Sequence, residues 1–234
     1  MMVQIDYWSD YACPYCYIGE ARLKKVLASA PELRDVEVEM KSFQLDPTAG
    51  EHAAGDTLTR FAKKYHITFE AAGQQIETIS KMGRDEGIDF RYATTLFTNT
   101  MDAHRLTKLA QSKGDAALTE RVIEALFDAY FTQNKELADH ALLQKIGEDC
   151  GLDADEVREV LASDRYQTEV LADEREAAYR RIYGVPYFLI NDKYTVSGAP
   201  SAEGLRQALL KIAAQEQTQV AQGMQCGPDG CRIG

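Results

Sequence analysis

The stretch Tyr7-Trp8-Ser9-Asp10-Tyr11-Ala12-Cys13-Pro14-Tyr15-Cys16 decides how this chain is read. It continues an alternating run, Val3-Gln4-Ile5-Asp6-Tyr7, that has the period of a half-buried strand. It leads into Gly19 to Ala30, where Leu23, Val26, Leu27 and Ala30 recur at helical spacing. The cysteines therefore sit where a strand turns into a helix. A helix start offers unpaired N–H groups and the positive end of the macrodipole, and both favour a thiolate. The spacing predicts Cys13 as the exposed, attacking sulfur and Cys16 as the one turned into the first helical turn. At such a site a thiol pKa falls from about 8.5 into the range of roughly 3.5–7.5. The sulfur is then both a nucleophile and a leaving group, as thiol–disulfide exchange requires. Pro14 suits the first helical position, because its missing N–H would be unpaired there anyway. Two other chemistries share the C-x-x-C spacing: half of a tetrahedral zinc site, and a pair of inert buried cysteines.

Downstream, Val36, Val38 and Met40 alternate with charged residues as a second strand, closed by Phe43-Gln44-Leu45-Asp46-Pro47. Strand, helix, strand is the pattern of a βαβ unit. Residues 48 to about 183 then read as helices throughout. Leu118, Val122, Ala125, Leu126 and Ala129 hold helical spacing, Gly151 is placed to end one helix, and Asp153 with Glu156 is placed to open the next. Strand character resumes at Tyr187-Phe188-Leu189-Ile190. Asn191-Asp192-Lys193 supplies the turn, and Tyr194-Thr195-Val196-Ser197 the returning strand. Ser201 is a candidate N-cap for a last helix carrying Leu205, Leu209 and Ile212 and ending near Gly223.

The order β-α-β, helical block, β-β-α divides the chain into three parts. Residues 1–48 and 184–222 form one discontinuous α/β domain, 49–183 a helical insertion, and 223–234 a tail with Cys226 and Cys231. The 234 residues carry a net charge of −11 and no basic run, which argues against nucleic acid or an anionic membrane as partner. No apolar run is long enough to span a bilayer. Met1 to Asp6 has neither a basic n-region nor an apolar h-region, so a cytoplasmic location is expected. Five cysteines in such a compartment point to transient, catalytic disulfides rather than a structural framework.

This order, with C-x-x-C after the first strand and Val185-Pro186 before the third, resembles the DsbA-like family, a thioredoxin-like fold with a large all-helical insertion. The similarity is closer to its cytosolic FrnE-like branch. It rests on residues 7–16, on Phe43-Gln44-Leu45-Asp46-Pro47 and on Asn99-Thr100-Met101-Asp102-Ala103-His104-Arg105-Leu106. Gly184-Val185-Pro186-Tyr187-Phe188 and Val196-Ser197-Gly198-Ala199 complete it. The resemblance implies dithiol–disulfide exchange on protein thiols, with Cys13 as nucleophile and Cys16 as resolving cysteine. It also implies a cis Val185–Pro186 bond facing them, beside which Val185, Pro186 and Tyr15 receive the substrate segment as an added strand. No cofactor beyond the redox-active disulfide is implied, with glutathione a candidate co-substrate. Periplasmic members usually carry histidine between the cysteines. Tyr15 adds no charge there, so we expect a couple less oxidising than about −120 mV. Glutathione-dependent isomerases and kappa-class transferases share this branch of the fold but typically carry serine at the first position. They define an alternative function on a small molecule. A redox-controlled chaperone-like binding protein is a further alternative.

Cys226-Gly227-Pro228-Asp229-Gly230-Cys231 is expected to be a flexible, auxiliary redox pair that exchanges with Cys13 and Cys16 at a local concentration on the order of millimolar. The competing accounts are a four-thiolate zinc site and an inert tail; no metal is expected, because zinc would occupy Cys13. Cys150 reads as a small buried hydrophobe. His104 reads as a satisfied core histidine or a polar contact near the groove. Tyr7, Trp8, Tyr11, Tyr15, Tyr17 and Tyr187 are candidates to line an apolar groove around Cys13.

Overall fold

The computed structural model describes the backbone of residues 3–33, 36–227 and 230–233, and side chains through residue 216. Its central sheet has four strands, β1 (Val3–Ser9), β2 (Val36–Ser42), β3 (Tyr187–Ile190) and β4 (Tyr194–Ser197), in the order β2-β1-β3-β4. β1 runs parallel to β2 and antiparallel to β3, and β3 pairs antiparallel with β4. The β3–β4 turn places Asn191 and Asp192 at φ of 52° and 54°. Short polar side chains tolerate that left-handed geometry best.

Helix α1 (Pro14–Ser29) links β1 to β2. It starts at Pro14, where the proline and the cysteine spacing placed the first turn, and the apolar stripe follows from Gly19. Pro14 takes its first position, and Cys13 (φ −95°, ψ 115°) is the N-cap residue. Between β2 and β3 lie α2 (Thr57–Tyr65), α3 (Phe69–Asp85), α4 (Met101–Gln111), α5 (Ala116–Phe131), α6 (His140–Cys150), α7 (Ala154–Leu161) and α8 (Gln167–Tyr179). Side chains of Asp56, Thr68, Asp115, Asp139 and Asp153 accept N–H groups at the starts of α2, α3, α5, α6 and α7. Each such cap stabilises its helix by about 1 kcal/mol. Gly151 ends α6 at φ 100°, as its sequence position predicted.

The core is continuous from the sheet into this helical block. Tyr11 packs tilted against Phe127 (centroids 4.9 Å apart, rings at 56°), Tyr17 lies parallel to Phe127 at 4.9 Å, and Phe90 stacks on Phe131 at 4.7 Å. A buried polar clamp fixes α4 and α8 against the sheet. The Asp173 carboxylate takes the Lys108 ammonium at 2.6 Å and the Ser42 N–H at 2.8 Å, while its carbonyl takes the Trp8 indole N–H at 3.0 Å.

Ser201 accepts the Gly204 N–H at the start of α9 (Ala202–Gly223). The backbone then forms a two-stranded antiparallel ribbon, β5 (Met224–Gly227) and β6 (Gly230–Ile233), with Cys226 and Cys231 in register. Its side chains, and with them the sulfur positions of that pair, lie outside the described residues. Among the described residues no helix is long and apolar enough to cross a membrane.

Candidate active site

The site is assembled by the loop between β1 and α1 and by the segment leading into β3. Asp10 organises the loop. Its carbonyl accepts the Cys13 N–H at 3.0 Å, and its carboxylate accepts the N–H groups of Ala12 at 3.2 Å and Leu45 at 2.7 Å. One buried carboxylate thus ties the cysteine loop to the loop after β2. The Cys16 N–H donates to the Cys13 carbonyl at 3.0 Å, closing the first turn of α1.

The Val185–Pro186 peptide bond is cis. The Cys13 thiol donates to the Val185 carbonyl at 3.5 Å, across 172 residues of sequence. The Pro186 carbonyl accepts the N–H of Gly198, which sits at φ 78°. A side chain at Gly198 would strain that connection. Gly19 lets α1 approach this loop: a Cβ there would meet Pro186 Cγ at 3.2 Å and Phe188 Cζ at 3.6 Å. Arg22, one turn further on, donates to the carbonyls of Ala199 (2.7 Å) and Pro200 (3.0 Å) and pairs with Glu86 at 2.7 Å. Together these contacts fix the distance between the motif and the proline loop.

Cys13 is only 4% exposed and Cys16 1%, so the expected exposed Cys13 is corrected. The loop at 185–186, brought in from the far end of the chain, covers the sulfur. Tyr15, 40% exposed, is the motif residue that meets solvent. Both cysteines are free thiols. Burial pushes the Cys16 thiol up, and the neighbouring Cys13 sulfur adds to that; the Ser9 hydroxyl and Asp10 backbone beside it pull the other way. The geometry gives one sulfur beside the Val185 carbonyl and a second, which burial keeps protonated, beneath it. Such a pair can form a mixed disulfide and then resolve it.

Of the aromatic residues proposed for a groove, Tyr7, Trp8 and Tyr11 are core instead. They pack under the sheet and the helical block, because a strand that leads directly into a buried loop has no solvent face there. His104 is fully buried, with Nε2 3.6 Å from the Asp10 carboxylate and its ring 5.0 Å from that of Tyr11. Neither ring nitrogen has a hydrogen-bond partner, so of the two expectations the satisfied core histidine falls and the polar contact, to Asp10 of the cysteine loop, stands. Cys150 is half-buried rather than fully enclosed, and its thiol donates to the Arg121 carbonyl at 3.5 Å. Sequence reasoning gave no role to Asp10 or Glu20. An aspartate three residues before Cys13 is a signal for a side-chain-stabilised turn. Glu20 falls on the same face of α1 as Cys16, one turn on. Its carboxyl has an oxygen buried without a partner, and burial, followed by the charge of Glu124, pushes its pKa up to about 8. Among the described residues no cluster of metal-ligating side chains is present.

A four-stranded sheet of this order, with two thiols at the start of its first helix and a cis proline facing them, defines a thioredoxin-type dithiol protein. The chain belongs to the family of the DSBA-like thioredoxin domain, whose model matches residues 4–210. A probable DsbA oxidoreductase from Streptomyces coelicolor superposes with a TM-score of 0.83 at 36% identity, covering 99% of each chain. The uncharacterized protein YwbO of Bacillus subtilis (strain 168) is 26% identical over 220 residues, 89% of this chain and 96% of that one. More distantly, the fold is shared with the cytosolic disulfide reductase DsbM from Pseudomonas aeruginosa, solved with GSH. That pair has a TM-score of 0.60 and 14% identity, with 93% of this chain and 99% of that one covered. A 2-hydroxychromene-2-carboxylate isomerase has the fold too, with a TM-score of 0.69 and 15% identity over 94% and 99% of the two chains.

Proposed function

We propose that this protein exchanges disulfides with protein thiols, in the manner of the FrnE-like branch, from a cytoplasmic location. The observation that carries the proposal is the Cys13 sulfur lying against the Val185 carbonyl with buried Cys16 one turn beneath it. In the reducing direction the Cys13 thiolate attacks a substrate disulfide R–S–S–R′ and expels R′–S⁻. Cys16 loses its proton and attacks the Cys13 sulfur of the mixed disulfide, expelling R–S⁻. The substrate gains two electrons, the protein keeps a Cys13–Cys16 disulfide, and the oxidising direction is the reverse. Val185 and Pro186 hold the substrate backbone, and Tyr15 flanks it. The auxiliary pair Cys226 and Cys231 passes electrons to or from this disulfide, which the facing register of their strands favours. A small thiol such as glutathione recycles the site, in line with the cytosolic reductase that shares the fold.

Trapping tests the scheme. Cys16→Ser should accumulate a mixed disulfide through Cys13, seen by mass spectrometry, and should lose turnover of insulin reduction. Cys13→Ser should form no adduct. Equal adduct formation at residue 16 in the Cys13→Ser variant would assign the nucleophile wrongly. The auxiliary pair is tested in the Cys16→Ser background, where failure to capture either tail cysteine on Cys13 would remove the relay.

A further inference from the structure

The carboxylate that organises the cysteine loop has a histidine as its one candidate counter-ion. Asp10 is buried, and its carboxylate holds the N–H groups of Ala12 and Leu45. Those donors stabilise a negative charge without neutralising it, and an ionised carboxylate out of water needs a cation. Among the described residues no lysine or arginine forms an ion pair with Asp10. The group at ion-pair distance is His104, with Nε2 3.6 Å from Oδ1. His104 is itself fully buried in the first turn of α4, and no hydrogen bond fixes either ring nitrogen. A ring so placed is costly in a core, and attraction to a carboxylate at that distance is what offsets the cost.

The surroundings fit that assignment. Lys108, one turn along the same face of α4, already pairs with Asp173 of α8. Glu174, the next residue of α8, is half-buried; burial raises its pKa, and the charge of His104 lowers it. Arg105 is turned instead to Asp102 and to the carbonyl of Val160 in α7. From α5, the Tyr130 hydroxyl feels the Asp10 charge. The inward face of α4 thus sets His104 and Lys108 against three carboxyl groups, those of Asp10, Asp173 and Glu174.

We infer that His104 is a positioning residue for the exchange reaction: as an imidazolium it keeps Asp10 ionised, and Asp10 in turn holds the Cys13 loop against Val185. Bonds to an ionised acceptor are about twice as strong as neutral ones, so a neutral Asp10 would grip Ala12 and Leu45 less firmly. The inference rests on the exchange function proposed above. The bond changes are those already given, and His104 takes no part in them; it sets where Cys13 stands when they occur.

Spectroscopy and kinetics test it together. In the reduced wild type at pH 7, nitrogen-15 NMR of the His104 ring should show both nitrogens protonated. Asp10→Asn should make the ring lose its proton at lower pH, because the attracting charge is gone. Oxidation of Cys13 by hydroxyethyl disulfide, a neutral reagent, is followed at pH 7 and corrected for the thiolate fraction read from ultraviolet absorbance. His104→Phe keeps a ring against Tyr11 but carries no charge, and should slow this reaction about tenfold through misplacement of the loop. In an Asp10→Asn background the same change should cost less than about twofold, since no charge is left to answer. A ring that only fills space would slow both backgrounds alike, and that result overturns the inference while leaving exchange intact. A neutral ring in the wild type, or a titration unmoved by Asp10→Asn, overturns it too, and decides the matter should His104→Phe fail to fold. A wild type whose Cys13 is never oxidised refutes the exchange function, and the positioning role with it.

Discussion

Replacing Glu20 by glutamine should make the protein more stable, and increasingly so as pH rises. The carboxyl of Glu20 has an oxygen buried without a partner and stands near Glu120 and Glu124, which share the Lys24 ammonium. Its pKa is pushed from an ordinary 4.5 to about 8, chiefly by burial. Between those values the folded chain keeps a proton that the unfolded chain releases. Stability therefore falls as pH rises through that window and is level above it. The whole interval sets a ceiling near ~5 kcal/mol. The side chain also borders an open cavity of about 650 Å³, lined by Tyr7, Leu23 and Lys24 among others, so water reduces the penalty. We expect Glu20→Gln to gain about 1–3 kcal/mol at pH 9, roughly a third of that at pH 5.5 and close to nothing at pH 4. Urea unfolding of the reduced protein across that range reads the difference directly. A stability difference that does not change with pH, or that shrinks as pH rises, would show that Glu20 is ionised in the folded state.

Three further outcomes follow from packing. Gly19→Val would force a side chain into the Pro186 ring, where even a Cβ sits at 3.2 Å; we expect about a tenfold slower reaction of Cys13 with a neutral disulfide, by stopped flow, and about 1–3 kcal/mol lost. Asp173→Ala strands the Lys108 ammonium in a site where its side chain is 10% exposed, and should cost about 3–5 kcal/mol in chemical denaturation. Gly83→Ala places a Cβ 2.4 Å from the Phe90 ring; calorimetry should show a loss of about 1–3 kcal/mol, unless the ring swings aside at no cost.

Local signals carried most of the fold. The alternation at Val3–Tyr7 and Val36–Met40, the turn at Asn191-Asp192, the cap at Asp153 and the stop at Gly151 are each determined by a few neighbouring residues, and each stands in the structure where the sequence placed it. The cysteine spacing marked the site for the same reason. What the sequence concealed depends on residues far apart. Cys13 is buried because Val185 arrives over it, Tyr11 is core because α5 brings Phe127 to it, and His104 meets the Asp10 carboxylate from another element without a hydrogen bond. The first turn of α1 was legible from Pro14 alone, since no apolar stripe begins it.

The placement of β1 between β2 and β3 has a consequence for synthesis. The N–H of Gln4 is met by the side chain of Asn191, 187 residues later. At about 5–20 residues per second, a ribosome needs roughly 10–40 s to deliver that partner. For all of that time one edge of the nascent first strand is open to strangers, and the two sulfurs beside it lack their proline cover. An oxidant encountered during translation therefore meets a far more accessible thiol pair than the finished protein presents, and chaperones that shield exposed strand edges have their longest opportunity on this chain before its last fifth is made.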